Sequence, residues 1–485
     1  MEIYVIQPGD TLFTIAQRFG VSLQALINLN QLPNPERLVP GQAILIPVTP
    51  PTPLRYTVVA GDTLYLLAQL FNTTVNELVR VNNIADPNRI QVGTVLTIPG
   101  WSQVPYTVSS GDTLYQIANR FNTPLNLIVK VNQIANPALI FPGQVLIIPI
   151  AVPPVIKTSI ETFAYFQLTN LNALERSLAN IGPYITYGAL FQFPINATGD
   201  ITVSENTARA VSILKRFNVQ PLMAITNWGP TGFELDLARA IIGNPTVKAR
   251  TINNLLSLLS QYGFAGVNVD FENMYPEDRQ LFTDFLRDMT AALRSQGFLV
   301  TVAVPPKFSD QPTLPWVGTF DYAAIGQIVD IVFLMAYEWG WIGGPPQAIA
   351  PVNLVRRALN YAVTQIPRSK IIQGVPFYGY DWTLPQTPER PAVPVNLVAV
   401  YNLAANAGAT INYDAVAQSP WFRYYDPQGV QHEVWFEDAR SIEAKYLVNK
   451  EFGVRGLGWW SYINEPYGFP QSWSILNEYF NVRKL

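Results

Sequence analysis

From Lys157 to the C-terminus, short apolar runs alternate with helical stretches, and this alternation restricts the fold more than any other feature of the chain. Strand-like runs are read at Glu161–Gln167, Tyr184–Phe191, Pro221–Thr226, Gly266–Phe271, Leu299–Val304, Ile328–Tyr337, Ile371–Phe377 and Gly456–Ser461. Segments such as Ser204–Arg216, Ala249–Tyr262 and Pro276–Gln296 carry helical periodicity between them. Near-continuously apolar strands are buried on both faces, as in a parallel sheet covered by helices. Eight of them in about 330 residues predict an α/β fold, a (β/α)8 TIM barrel. The stretch from about 381 to 435 is longer than a connection needs and predicts a small insertion between strands 7 and 8.

In the fourth run, Val267-Asn268-Val269-Asp270-Phe271-Glu272, apolar and polar residues alternate strictly. That is the period of a strand, so Asn268, Asp270 and Glu272 share one face and Val267, Val269 and Phe271 the other. Two carboxylates thus stand together at the C-terminal end of a buried barrel strand, where such barrels carry their chemistry. Partial desolvation and a neighbouring charge raise a carboxyl pKa, as general acid/base work requires.

The first third of the chain repeats itself. Tyr4-Val5-Ile6-Gln7-Pro8-Gly9-Asp10-Thr11-Leu12 returns as Tyr56–Leu64 and again as Tyr106–Leu114, each time with Gly-Asp-Thr-Leu. Apolar residues follow at helical spacing (Leu12, Ile15, Ala16 and Phe19 in the first copy), with the Asp placed to cap the helix. A second short helix ends near Asn30, Asn82 and Asn132, and a closing strand follows at Ala43–Pro47, Val95–Pro99 and Val145–Pro149. Each unit is therefore a small α+β (βααβ) module. The modules are placed at 1–48, 55–100 and 105–150 and the barrel at 157–485, with short joins at Val48–Arg55, Gly100–Pro105 and Ile150–Ile156. The first and last joins are proline-rich and read as semi-rigid spacers. Three weak sites in a row predict avidity on one polymer strand.

With net charge −3, one histidine (His432) and no cysteine, nucleic-acid binding, a histidine-built metal site and thiolate chemistry are not expected. His432 reads as a surface residue of the insertion. The N-terminus enters a strand at once, without the basic and apolar regions of a signal peptide, and no run is long and apolar enough to span a membrane. A monomer is expected. Eleven Trp, 23 Tyr and 25 Phe suit either core packing or stacking on sugar rings.

The repeats resemble LysM modules, which bind N-acetylglucosamine polymers such as peptidoglycan or chitin. The resemblance places a sugar groove at Asp10, Thr11, Leu12, Asn30 and Leu32. The counterparts are Asp62, Thr63, Leu64, Asn82 and Ile84, then Asp112, Thr113, Leu114, Asn132 and Ile134. The plainer alternative is that the Asp residues cap helices and the Leu residues only pack.

The barrel resembles family 18 glycoside hydrolases, whose fourth strand reads Asp-x-x-Asp-x-Asp-x-Glu; here Ala265 to Glu272 keeps the last two acids. Met335-Ala336-Tyr337-Glu338, Gly374-Val375-Pro376-Phe377-Tyr378-Gly379 and Trp460 match its sixth, seventh and eighth strands. The resemblance implies a retaining mechanism in which the substrate's own 2-acetamido group is the nucleophile, without metal or cofactor. Glu272 would be the proton donor and later the base. Asp270 would orient the acetamido N–H, Tyr337 would bind its oxygen, and Trp460 would floor the sugar subsite. Asn268 stands in the middle-acid position, so Asp270 should stay ionised more readily and Glu272 should have one anionic neighbour. Glu338, Met335, Tyr378 and Asn227 are further candidate substrate contacts, with pairing to an arginine as the plainer role for Glu338. Trp459 reads as packing.

Asn268, Tyr337-Glu338-Trp339-Gly340-Trp341, Gly343-Gly344-Pro345-Pro346 and Phe469-Pro470-Gln471-Ser472-Trp473 resemble the spore cortex-lytic N-acetylglucosaminidases of that family. The resemblance implies peptidoglycan as substrate and a place at the spore coat or cortex surface of a spore-forming bacterium. Two rivals stay open: a chitinase of the same mechanism, and a catalytically silent glycan-binding coat protein.

Overall fold

The computed structural model describes residues 1–32, 34–47, 52–152, 157–462 and 469–485, with backbone alone at 461–462. The chain divides into two compact units, one made of residues 1–47 and 157–485, the other of residues 48–156. The proline-rich joins lie largely outside the described residues.

In the first unit, eight parallel strands follow one another around a closed barrel: Thr158–Gln167, Tyr187–Pro194, Gln220–Thr226, Gly266–Asp270, Leu299–Val304, Ile331–Leu334, Ile371–Pro376 and Gly456–Tyr462. The last pairs with the first to close the ring, as the sequence predicts. A short strand, Phe480–Val482, extends the start of the first. The sixth strand is shorter than expected at both ends. Ile328 still belongs to the helix Tyr322–Ile328, and after Leu334 the backbone bonds to itself (Ala336 N–H to Leu334 O, Tyr337 N–H to Met335 O, both 2.8 Å). This turns Tyr337 and Glu338 out of the sheet.

The helices cover the barrel with one apolar face each. Arg279–Arg294 buries Phe282, Phe285, Leu286, Met289 and Leu293, and Phe271 stacks on Phe282 and Phe285. The alternation in Val267–Glu272 is thereby resolved: its apolar face meets helices, and Asn268 and Asp270 face into the barrel. The insertion begins at Tyr378, slightly earlier than expected. It is a five-stranded antiparallel sheet (Tyr378–Thr383, Val393–Asn396, Asn412–Asp414, Ser419–Tyr425, Gln431–Trp435) with the helix Ala399–Asn406.

The first repeat is part of this same unit rather than a separate bead. Its strands Glu2–Val5 and Ala43–Ile46 pair antiparallel, and Val39, Ala43 and Leu45 join the barrel's own core. Gln471 Nε2 donates to Asn30 Oδ1 (2.6 Å), Arg37 donates to Asn406 Oδ1 (2.9 Å), and Ile411 N–H donates to Pro40 O (2.9 Å). Gly41 has φ +85°, and a Cβ there would lie 1.9 Å from the Ile411 carbonyl oxygen, so a side chain cannot be accommodated at this contact.

In the second unit the other two repeats are fused. Pro53–Thr57, Val95–Thr107 and Val145–Ala151 form one three-stranded antiparallel sheet. The expected join at 100–105 lies inside its central strand, with Trp101 opposite Ala151 and Ser102 opposite Ile150. Leu127, Val131 and Ile147 of the third repeat pack into the core of the second. An ionic contact adds to this. In the first and third repeats an arginine of the first helix donates to the repeat's leading tyrosine (Arg18 to Tyr4, 2.6 Å; Arg120 to Tyr106, 2.7 Å). The second repeat has Leu70 there. Lys130 of the third repeat replaces the missing cation, 2.8 Å from Asp62 Oδ1 and 5.9 Å above the Tyr56 ring. No helix among the described residues is long and apolar enough to cross a membrane.

Candidate active site

The polar face of the fourth strand opens onto the C-terminal end of the barrel. Asn268 is fully buried; it donates to Tyr165 Oη (3.0 Å) and accepts from Thr301 Oγ1 (2.8 Å). Both polar ends of its amide are thus held, one by the adjacent fifth strand and one from across the barrel by the first. Asp270 is 5% exposed, and its buried Oδ1 has no hydrogen-bond donor among the described residues. A buried acceptor without a donor is costly, by about 1–3 kcal/mol, and is rare in folded proteins.

Burial pushes the Asp270 carboxyl up to about 7. Asn268 removes a like charge from beside Asp270, and desolvation alone holds that carboxyl above its ordinary range. Glu272 is raised well above the usual carboxylate range, first by burial, then by Asp270 and Glu338. Two anionic neighbours act on it, not one. A carboxyl raised in this way at a strand end can donate a proton to a leaving oxygen.

The other candidates arrange around this pair. Tyr337 is 7% exposed, and burial raises its phenol well above 10. It is a neutral hydrogen-bonding group. Glu338, at φ +64°, meets no arginine among the described residues; Tyr378 and Tyr380 donate to its Oε1 at 2.8 and 3.1 Å. Tyr378 is thus committed to Glu338. Met335 is partly buried against the barrel core. Trp460 stands edge-on to Tyr165 and Phe191 (centroids 5.2 and 4.9 Å), facing the barrel end. Trp459 points the other way, fully buried, against Trp473 and bonded to Tyr446 Oη. The choice between these adjacent tryptophans follows from strand alternation.

Asn227 is not placed as a substrate contact. It is fully buried, its Nδ2 donates to the carbonyls of Glu272 (2.8 Å) and Glu234 (3.1 Å), and its Oδ1 accepts from the Glu272 N–H (3.0 Å). It brackets the backbone of Glu272. His432 is not a free surface residue either. Its Nδ1 lies 2.8 Å from Asp381 Oδ1, its Nε2 lies 3.6 Å from Asp426 Oδ2, and its ring stacks on Tyr424. Sequence reasoning missed Tyr165 and Tyr380. Both occupy alternating positions on their strands, but Tyr165 reaches Asn268 across the closed barrel and Tyr380 reaches Glu338 from the insertion sheet, neither of which the local pattern shows.

In the repeats, the groove candidates have local roles. Asp10, Asp62 and Asp112 each accept from a tyrosine Oη at 2.6 Å and from a turn N–H at 2.8 Å. The helix caps are Thr11, Thr63 and Thr113, so the expected Asp cap is corrected by one residue. Leu12, Leu64 and Leu114 are buried, and Leu32, Ile84 and Ile134 pack against the module cores. Asn30, Asn82 and Asn132 each tie helix to closing strand with three short bonds. The exposed groups beside the turns are Phe13, Tyr65 and Tyr115. In the first module, a groove of about 460 Å³ runs from Asp10–Phe13 past Leu23 and Ile27 to the barrel insertion at Ala405–Thr410.

Residues 160–464 match the family model for glycosyl hydrolases family 18, and residues 4–47, 56–99 and 106–149 each match the LysM domain. The cortical fragment-lytic enzyme of Bacillus subtilis (strain 168) is 44% identical over 436 residues, covering 88% of this chain and 98% of that protein. The crystal structure of the spore cortex-lytic enzyme SleL of Bacillus megaterium QM B1551 aligns over 100% of this chain and 99% of its own, with 31% identity and a TM-score of 0.74. A chitinase from Chromobacterium violaceum ATCC 12472 aligns over 66% of this chain and 98% of its own, with 26% identity and a TM-score of 0.59. The closed barrel, the carboxylate pair at the C-terminal end of its fourth strand and these matches together assign the chain: it is a member of glycoside hydrolase family 18 carrying three LysM domains ahead of its barrel.

Proposed function

We propose that this chain hydrolyses N-acetylglucosaminide bonds of spore-cortex peptidoglycan, with the LysM domains holding the polymer. The observation that carries the reading is the unpartnered, buried Oδ1 of Asp270 beside the raised Glu272 carboxyl. A 2-acetamido N–H from the substrate is the donor that Asp270 lacks. With that N–H held, the acetamido oxygen attacks the anomeric carbon while protonated Glu272 gives its proton to the leaving oxygen. Asp270, ionised in the complex, balances the positive charge of the oxazolinium ion. Glu272, now a carboxylate, takes a proton from the water that opens the ring. Tyr337 offers its phenol to the acetamido oxygen, and Trp460 lies beneath the sugar. Asn268 and Tyr165 keep Asp270's surroundings neutral, and Glu338 favours the protonated form of Glu272.

The cortex enters through the cortical fragment-lytic and SleL relatives, which cover 88% and 100% of this chain, whereas the chitinase covers 66% of it. A place on the spore coat or cortex surface follows from the same reading. Digests of cortex fragments and chitin oligomers, analysed for new reducing ends, test it. New N-acetylglucosamine ends from cortex and few from chitin are expected, with Glu272→Gln lowering kcat by roughly 10²–10⁴. Cleavage of chitin alone would replace the substrate; full activity in Glu272→Gln would refute the mechanism.

A further inference from the structure

The second LysM domain departs from the other two on one face of its first helix. The position of Thr14 in the first domain and Gln116 in the third is held by Leu66, and that of Arg18 and Arg120 by Leu70. Thr14 and Gln116 each complete a capping box with the threonine that starts the helix; in the second domain Thr63 caps without that return bond. Leu66 and Leu70 are four residues apart and so share a face. Leu70 packs against the core of the second domain, whereas Leu66 stays 50% exposed. A leucine that gives up half of a capping box and remains half in water is not accounted for by packing within its own domain.

That face looks onto the third domain. Leu66, Leu70 and Asp62 line one wall of a cleft of about 640 Å³, and Leu125, Asn126, Val129 and Lys130, on the second helix of the third domain, line the other. The volume lies in the range of small-ligand sites. The strand Val95–Thr107 pairs with a strand of each domain, so backbone bonds hold the two walls together. Lys130 Nζ meets Asp62 Oδ1 at 2.8 Å and is still 35% exposed; an ammonium has three donors, so it keeps N–H groups for a ligand. Asn126 is exposed beside it. The grooves expected from the sequence each lie within one repeat. This cleft takes one wall from each of two domains.

We propose that the cleft between the second and third LysM domains is a saccharide site that neither domain forms alone. Its occupant is an N-acetylglucosamine unit of the polymer. The acetamido methyl and the C–H groups of the sugar lie against Leu66, Leu125 and Val129, and its oxygens accept from Lys130 and Asn126. The ligand class comes from the LysM matches, and the inference rests on the reading of the substrate as an N-acetylglucosamine polymer. The two domains then grip one stretch of polymer jointly instead of offering separate sites.

The test uses full-length Glu272→Gln, methyl-labelled at leucine and valine, titrated with the hexamer of N-acetylglucosamine. The Leu66, Leu125 and Val129 methyl resonances should move together along one binding curve. Adding Leu66→Gln, the residue of the third domain, should weaken that curve about three- to ten-fold. Adding Asn126→Trp, which fills the cleft from the opposite wall, should abolish it. Stationary resonances in the parent protein would overturn the proposal, whatever the variants do. Shifts confined to Leu125 and Val129, or an unchanged curve with Leu66→Gln, would return the site to a single domain and overturn it as well. The cortex digest by wild type is read separately. Shifts without cortex cleavage would remove the substrate reading and keep the site, whereas cleavage without shifts would overturn the site alone.

Discussion

Replacing Asn227 by Ala removes the clamp on the backbone of the proton donor. The change deletes three hydrogen bonds, of 2.8, 3.0 and 3.1 Å, at a fully buried position. It leaves the N–H and carbonyl of Glu272 without those partners, while the Glu234 carbonyl keeps the Ala238 N–H (3.1 Å). Each buried unpaired group costs about 1–3 kcal/mol. Water entering the vacated volume recovers part of this, so a loss of roughly 3–5 kcal/mol is expected. For a unit of this size that corresponds to a fall in Tm of about 4–7 °C. The catalytic effect is separate. With Glu272 free to drift, and a misplacement near 1 Å costing about 10²-fold, kcat should fall by ten- to a hundred-fold with KM little changed. Thermal unfolding and steady-state kinetics well below Tm read the two effects independently. If Tm falls as stated while kcat and the pH profile stay at wild-type values, Asn227 only stabilises the barrel and the positioning argument is wrong.

Two further outcomes follow from the electrostatics. Asp270 has an ordinary value of 3.8 and is pushed up to about 7 by burial, so between these values the folded state holds a proton that the unfolded chain has released. Stability therefore falls as pH rises through that window, by at most about 4 kcal/mol from this group. Asp270→Asn should raise Tm at pH 8, leave it near wild type at pH 4, and abolish turnover; a wild-type pH dependence of Tm in the variant would contradict the assignment. In the second unit, Lys130→Ala should loosen the fused modules by about 1–2 kcal/mol, because Asp62 is left only 4% exposed without its cation. Adding Leu70→Arg should restore the loss by the route the other two modules use, as read by hydrogen exchange of the 53–107 strands; no rescue would refute the equivalence.

Much of the fold could be read from residue periodicity. The runs of the barrel strands are apolar on both faces because helices cover one side and packed side chains fill the other, and such runs declare themselves in any single chain. Asp270 and Glu272 stood out for a related reason: alternation fixes which neighbour shares a face. Trp460 was set apart from Trp459 by its likeness to the family's eighth strand, and in the folded strand the two rings meet different partners. The exceptions share one cause. Asn227 looked like a substrate contact because nothing local shows that its amide meets Glu272, 45 residues away. Tyr380 and Glu338 meet only when the insertion sheet folds back.

The chain by itself thus determined the barrel, the modules and the acid pair, since each depends on short-range patterns of burial. Tertiary structure alone decided the desolvation of Asp270 and the independence of the modules. That desolvation is set by everything packed around the carboxyl, and it raises Asp270 even though Asn268 brings no like charge. The second and third repeats became one body because a strand continued through their join and a lysine took the place of an absent arginine; the first joined the barrel through Gly41 and Gln471. Those are contacts between distant residues, and only a folded chain specifies them.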